Sequence, residues 1–253
     1  MLTLPSPLHR RLRSEHGFTL METLVAMVAG LLVAFAATML LRVSREQTER
    51  ASDYVQASQL GRTAMTRMVD ELNSACLSAG FAPVLGTSTP EMLVFRDAFS
   101  KEAEIPNSQI QKHELIWNSA NGTLSDKKSI VTGTSEGGYT YSTATPVTIG
   151  THIAANKNAK SEEEPIFRYY EYNTAATSSS ETGVAPFKEI PLAAKAELGT
   201  TDAENVASVQ ISFRALPSNG KEPPGTTLDL RSQVTFAFSA PIAEPTITDE
   251  PCQ

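Results

Sequence analysis

Glu22 is the one ionisable side chain in a run of 24 residues, FTLMETLVAMVAGLLVAFAATMLL, at 18–41. A carboxylate at the centre of a hydrocarbon layer costs on the order of 2.5–3.5 kcal/mol, and less near the edge. Glu22 is therefore either a tolerated acid near the interface or a group that waits for a cationic partner. Just before the run stands Gly17, which lets the backbone lie extended where a side chain would obstruct it. The other chemistry-bearing residues are fewer. Cys76 and Cys252 are the only thiols, too few for a disulfide scaffold or a cysteine-rich zinc site. Gly133-Thr134-Ser135-Glu136-Gly137 matches the G-x-S-x-G of serine hydrolases, but that elbow needs a helix after it. The next residues, GYTYST at 138–143, alternate like a strand, so a glycine-rich turn is the better reading. His9, His16, His113 and His152 are scattered without metal-ligand spacing, so no metal or cofactor is expected. Glu162-Glu163-Glu164 reads as a solvated acidic loop rather than a calcium ligand set. Asn121-Gly122-Thr123 is both a glycosylation acceptor and an Asn-Gly turn, and the turn is preferred.

The elements that would hold these residues divide the chain. Residues 1–17 carry Arg10, Arg11 and Arg13 against Glu15. As a helix, 18–41 would span roughly 36 Å, enough to cross a hydrocarbon core of about 30 Å with some tilt. Arg42 and Arg45 stop the run. The basic flank is expected to stay in the cytoplasm and to send the rest of the chain outward. A cleavable secretory signal is the competing reading. Its apolar stretch is shorter and ends at small residues, for which Ala34–Ala37 is the nearest candidate. The whole chain of 253 residues has 41% hydrophobic and 19% charged residues, which excludes wholesale disorder. Its net charge of -7 argues against nucleic acid as a partner.

From 42 to 79 the helical style continues. Leu60, Ala64, Met68 and Leu72 recur every fourth residue beside Met65 and Val69, giving one apolar stripe. No proline occurs between Pro7 and Pro83, and Gly80 is the expected stop. Beyond residue 84 the period changes to two. Strands are expected at 92–97, 113–117, 166–172, 206–213 and 228–239, with Leu228, Leu230, Ser232, Val234, Phe236 and Phe238 on one face. The stretches 173–183 and 217–226 read as loops. The expected fold class is α+β, a long N-terminal helix with an antiparallel β-sheet packed on its outer half. If 42–253 lies in an oxidising compartment, Cys76 and Cys252 are expected to pair, stapling the tail to the helix end for about 5 kcal/mol at most. Two free thiols are the alternative.

Gly17-Phe18-Thr19-Leu20-Met21-Glu22, with a basic leader before it and an apolar helix after it, resembles the class III signal of type IV prepilins and type II secretion pseudopilins. The resemblance implies a pilin-like fold whose first helical half spans the membrane. It implies that prepilin peptidase cuts between Gly17 and Phe18 and methylates the new amine of Phe18. Glu22 then becomes the fifth residue of the mature chain and pairs with the terminal amine of a neighbouring subunit. Removing 1–17 takes away three arginines and one glutamate, so the charge of -7 becomes -9. A looser match, from Leu60-Gly61-Arg62 through Met68-Val69-Asp70-Glu71-Leu72-Asn73-Ser74-Ala75, is similar to the helix of minor pilins of the PilW kind and J-type pseudopilins. The absence of proline in the membrane half departs from many major pilins.

The resulting layout is a cleaved leader at 1–17, a transmembrane or filament-core helix at 18–41, an outer helical half at 42–79 and a β-rich domain at 80–253. The implied location is the cytoplasmic membrane with the β domain outside, and then a pilus or pseudopilus. The implied partners are prepilin peptidase, other pilin or pseudopilin subunits, the inner-membrane assembly platform and, before assembly, membrane lipid. The resemblance implies a structural subunit that is not an enzyme. Rival readings are a tip adhesin or DNA-uptake pilin, and a membrane-anchored ectodomain outside the filament family.

Overall fold

The computed structural model describes residues 19–75, 82–98, 110–135, 138–173, 186–219 and 227–236. The chain divides into two units, Met1–Glu49 and Arg50–Gln253. Helix α1, Leu20–Asn73, contributes to both. It closes at Asn73 rather than near Gly80, which lies outside the described residues. Ser74 N–H donates to Glu71 O at 3.3 Å and Ala75 N–H to Leu72 O at 3.1 Å, a tightened last turn that uses up two terminal carbonyls.

The described residues of the second unit form ten strands in two antiparallel sheets, where one sheet was expected. In the first sheet the order is β1 (Met92–Ala98), β2 (Ile110–Asn118), β3 (Thr123–Ser135), β4 (Gly138–Tyr141), with β5 (Val147–Gly150) also paired to β3. In the second, β10 (Leu228–Thr235) pairs with β9 (Val206–Ala215), then come β7 (Phe167–Tyr172) and β8 (Phe187–Ile190), and β6 (Ile153–Ala154) pairs with β9. A short helix α2, Thr200–Asn205, leads into β9. The five expected strands are all present. Strands β3, β5, β6 and β8 were not expected, because β5, β6 and β8 span only 4, 2 and 4 residues and β3 is mostly polar, so none shows a sustained apolar period of two.

On β10 the expected alternation holds among the described positions. Leu228, Leu230 and Ser232 are half-buried and Val234 and Phe236 buried, while Asp229, Arg231, Gln233 and Thr235 are exposed. Phe238 lies outside the described residues. The turn at Asn121-Gly122 joins β2 to β3: Gly122 sits at φ 63° and its N–H donates to Asn118 O at 2.9 Å. Asn121 Oδ1 accepts from Thr123 N–H at 3.1 Å, so the side chain closes the turn locally.

Both sheets pack with α1 around one core, with Met68, Leu72, Phe95, Leu115, Tyr169 and Phe213 at its centre. Met68 and Leu72 are fully buried, each worth roughly 1.5–3 kcal/mol of apolar transfer. The buried stripe runs through Ala57, Gly61, Ala64, Met65, Met68 and Leu72. Leu60, expected in it, is 39% exposed, and Gly61 takes the inward place. The reason is close approach: a Cβ on Gly61 would stand 2.6 Å from Ala215 Cβ and 2.7 Å from Leu230 Cδ1. Only a residue without a side chain lets the helix sit this near β9 and β10. The sheets are tied by hydrogen bonds as well as by packing. Trp117 Nε1–H donates to Ile153 O at 3.1 Å, and the Tyr169 hydroxyl donates to Thr89 O at 2.9 Å.

Candidate functional site

The N-terminal end of α1 is the first place where sequence chemistry and structure meet. Thr19 precedes the helix, and its Oγ1 accepts a hydrogen bond from Glu22 N–H at 3.3 Å. Thr19 O also accepts from the amides of Glu22, at 3.0 Å, and Thr23, at 3.2 Å. Thr19 is thus the N-cap, and Thr19-Leu20-Met21-Glu22 has the T-x-x-E spacing of a capping box. Glu22 is therefore more than a lone charge in an apolar run. Its place in the first helical turn sets its carboxylate against the positive end of the helix dipole. Gly17 and Phe18 lie outside the described residues.

From Leu20 to Val43 every side chain is exposed. Leu20, Met27, Leu31 and Leu40 are each at least 71% exposed. A helix that is apolar all round has no face to give to water. The helix is long and apolar enough to cross a membrane. This surface requires lipid or other apolar helices as its solvent, consistent with a membrane anchor.

A second cluster lies in the other unit, under the last turn of α1. Strand alternation places Phe95 and Asp97 of β1, His113 and Leu115 of β2, and Asp126 of β3 among the buried positions of the first sheet. The imidazole of His113 is 1% exposed and stacks on Phe95, with centroids 4.9 Å apart. Its Nδ1 stands 3.3 Å from Asp126 Oδ1 and 3.8 Å from Glu71 Oε2. Its Nε2 stands 3.7 Å from Asp97 Oδ2. None of these contacts is a well-formed hydrogen bond, and both ring nitrogens and both Asp126 oxygens are buried without a hydrogen-bond partner. Lys128 reaches Glu71 Oε1 at 3.3 Å and Asp126 Oδ2 at 3.7 Å, and Arg67 Nε donates to Glu71 Oε1 at 3.2 Å. Burial pushes the Asp97 carboxyl above its usual range, against the pull of His113 and Lys128 and a hydrogen bond from Ser74. This cluster was not anticipated, since its members are far apart in the chain and show no ligand spacing. The usable signal was a titratable residue in phase with buried apolar neighbours in two strands, Asp97 after Leu93 and Phe95 in β1 and His113 before Leu115 and Trp117 in β2.

The structure also places the other candidate residues. Residues 133–135 of the G-x-S-x-G stretch belong to β3 and Gly138 opens β4, so a strand stands where a hydrolase elbow has a helix. Glu164 is held by Arg231 at 2.7 Å, and Glu162 accepts from Asn158 Nδ2 at 2.8 Å. The expected Cys76–Cys252 bridge falls on residues that are not described. No disulfide occurs among the described residues, and both cysteines lie outside them. No clear active site is found among the described residues.

Residues 12–38 match the family model described as the prokaryotic N-terminal methylation motif. The match covers part of the leader, the Gly17-Phe18 junction and most of the apolar run. It is consistent with the prepilin and pseudopilin family at large. No curated protein and no solved structure matches the chain.

Proposed function

We propose that the chain is a prepilin-like minor subunit of a type IV pilus or a type II secretion pseudopilus. In this reading prepilin peptidase cuts between Gly17 and Phe18 on the cytoplasmic side and methylates the Phe18 amine. The mature chain then opens one residue before the N-cap Thr19. Glu22 neutralises the terminal amine of a neighbouring subunit, which removes two charges from lipid at once and fixes register. Residues 18–41 leave the bilayer for a bundle of like helices, and the two-sheet domain stays outside the cytoplasm. Other subunits and the inner-membrane assembly platform are the partners, and the role is structural.

The single observation that carries this reading is a methylation motif lying across the start of a helix whose apolar surface is left uncovered by the described residues. The test is to express the full chain with and without a prepilin peptidase and to read the N-terminus by mass spectrometry. A methylated chain beginning at Phe18, formed only with the peptidase, supports the proposal. An intact leader, or a cut near Ala37, refutes it.

A further inference from the structure

The cluster beneath the last turn of α1 has the geometry of a metal polyhedron. Ligand atoms bonded at about 2.0–2.2 Å to one tetrahedral ion stand roughly 3.3–3.6 Å apart. His113 Nδ1 lies 3.3 Å from Asp126 Oδ1 and 3.8 Å from Glu71 Oε2, and the three atoms all fall within 4.8 Å of one another. A buried carboxylate and a buried imidazole at such distances without a hydrogen bond are costly neighbours unless something binds both. The other oxygen of each carboxylate lies toward Lys128, at 3.3 Å from Glu71 Oε1 and 3.7 Å from the buried Asp126 Oδ2, and Glu71 Oε1 also meets Arg67, which leaves Oε2 and Oδ1 toward the ring. The second ring nitrogen, Nε2, faces Asp97. A carboxylate behind a histidine is the arrangement that fixes the tautomer of a metal-ligating imidazole and raises its basicity. Stacking on Phe95 holds the ring plane.

We propose that Glu71 Oε2, His113 Nδ1 and Asp126 Oδ1 bind one divalent transition-metal ion, typified by Zn2+, with Asp97 as the residue that orients His113. One nitrogen and two carboxylate oxygens suit such an ion better than calcium, which takes six to eight oxygens, or a thiophilic ion. The ligands come from α1, β2 and β3. The ion therefore joins the end of the helix to the first sheet, a structural rather than catalytic role.

The experiment uses the full chain in detergent micelles, stripped with a chelator and titrated with Zn2+. Binding is read by calorimetry and stability by the fluorescence of Trp117. The wild type is expected to take up one more Zn2+ than His113→Gln or Asp126→Asn. At Zn2+ a hundredfold above its dissociation constant, its Tm is expected to rise by about 5–10 °C. Asp97→Asn is expected to weaken binding by roughly 10–100-fold without abolishing it. Ca2+ is expected to leave the Tm unchanged. Equal Zn2+ uptake by wild type and His113→Gln, or an unchanged wild-type Tm, overturns the proposal and leaves an internal ion-pair cluster. Should both variants fail to fold, 15N-histidine NMR of the wild type decides. Zinc must move the Nδ1 resonance of one imidazole whose Nε2 stays protonated, and no such shift overturns the site.

Discussion

Gly61→Ala is the substitution on which local propensity and packing disagree about the sign. In an open helix the change stabilises by about 1 kcal/mol, because alanine is the better helix former. At this position the new methyl carbon would lie 2.6 Å from Ala215 Cβ and 2.7 Å from Leu230 Cδ1. The Leu230 methyl can rotate aside. The Ala215 Cβ cannot, since it is fixed to the backbone of β9, which pairs with β10 and β6. Overpacking of this kind costs roughly 1–3 kcal/mol, so the expected balance is a loss of about 1 kcal/mol, with about 2 as the upper figure. The assay is urea and thermal unfolding of the full chain in micelles. It is followed by Trp117, the only tryptophan and a residue of the core. A loss of about 1 kcal/mol is expected to lower Tm by about 2–4 °C. The partner change Ala215→Gly removes the obstructing carbon, so in the double variant the cost of Gly61→Ala should largely vanish. A Gly61→Ala protein more stable than wild type by the full propensity gain would refute the close approach of α1 to β9.

Three further outcomes are expected. Burial raises the Tyr169 hydroxyl far above the usual phenol range, while a hydrogen bond with Ser88 opposes this. Ionisation is therefore confined to the unfolded chain, and the stabilising contribution of Tyr169 is complete below about pH 10 and declines as pH rises above it. Tyr169→Phe should be less stable at neutral pH by about 1 kcal/mol per lost hydrogen bond, and its urea melts should lose less stability than those of wild type once the pH passes about 10. Gly122→Ala places a side chain at φ 63° with its Cβ 3.0 Å from Ile153 O, so it should cost roughly 1–2 kcal/mol in the same melts. Glu22→Val should leave cleavage at Gly17-Phe18 intact, as read by mass spectrometry, while sharply reducing recovery of the chain in sheared filament fractions; normal recovery would remove Glu22 from assembly.

The covalent order of residues determined the apolar half of α1. An apolar run bounded by arginines, with a glycine before it and a glutamate inside it, is a local pattern. Its consequence, a helix with no polar face, needs no tertiary partner to be inferred. Local turn chemistry was legible for the same reason, as at Asn121-Gly122, and so was the strict alternation of β10. Strands of mixed polarity such as β3 were not legible, because their period of two emerges only once neighbouring strands define an inside. The split into two sheets escaped for the related reason that pairing partners such as β6 with β9, or β7 with β9, are distant in sequence. Gly61 displaced Leu60 from the buried stripe because the separation of helix and sheet, and not hydrophobicity, selects the residue at that contact. The chain order spells Glu71, Asp97, His113 and Asp126 as isolated polar residues. Only the stacking of three strands under one helical turn brings them within a few ångströms, since side-chain proximity across a sheet is a property of register that no single segment carries.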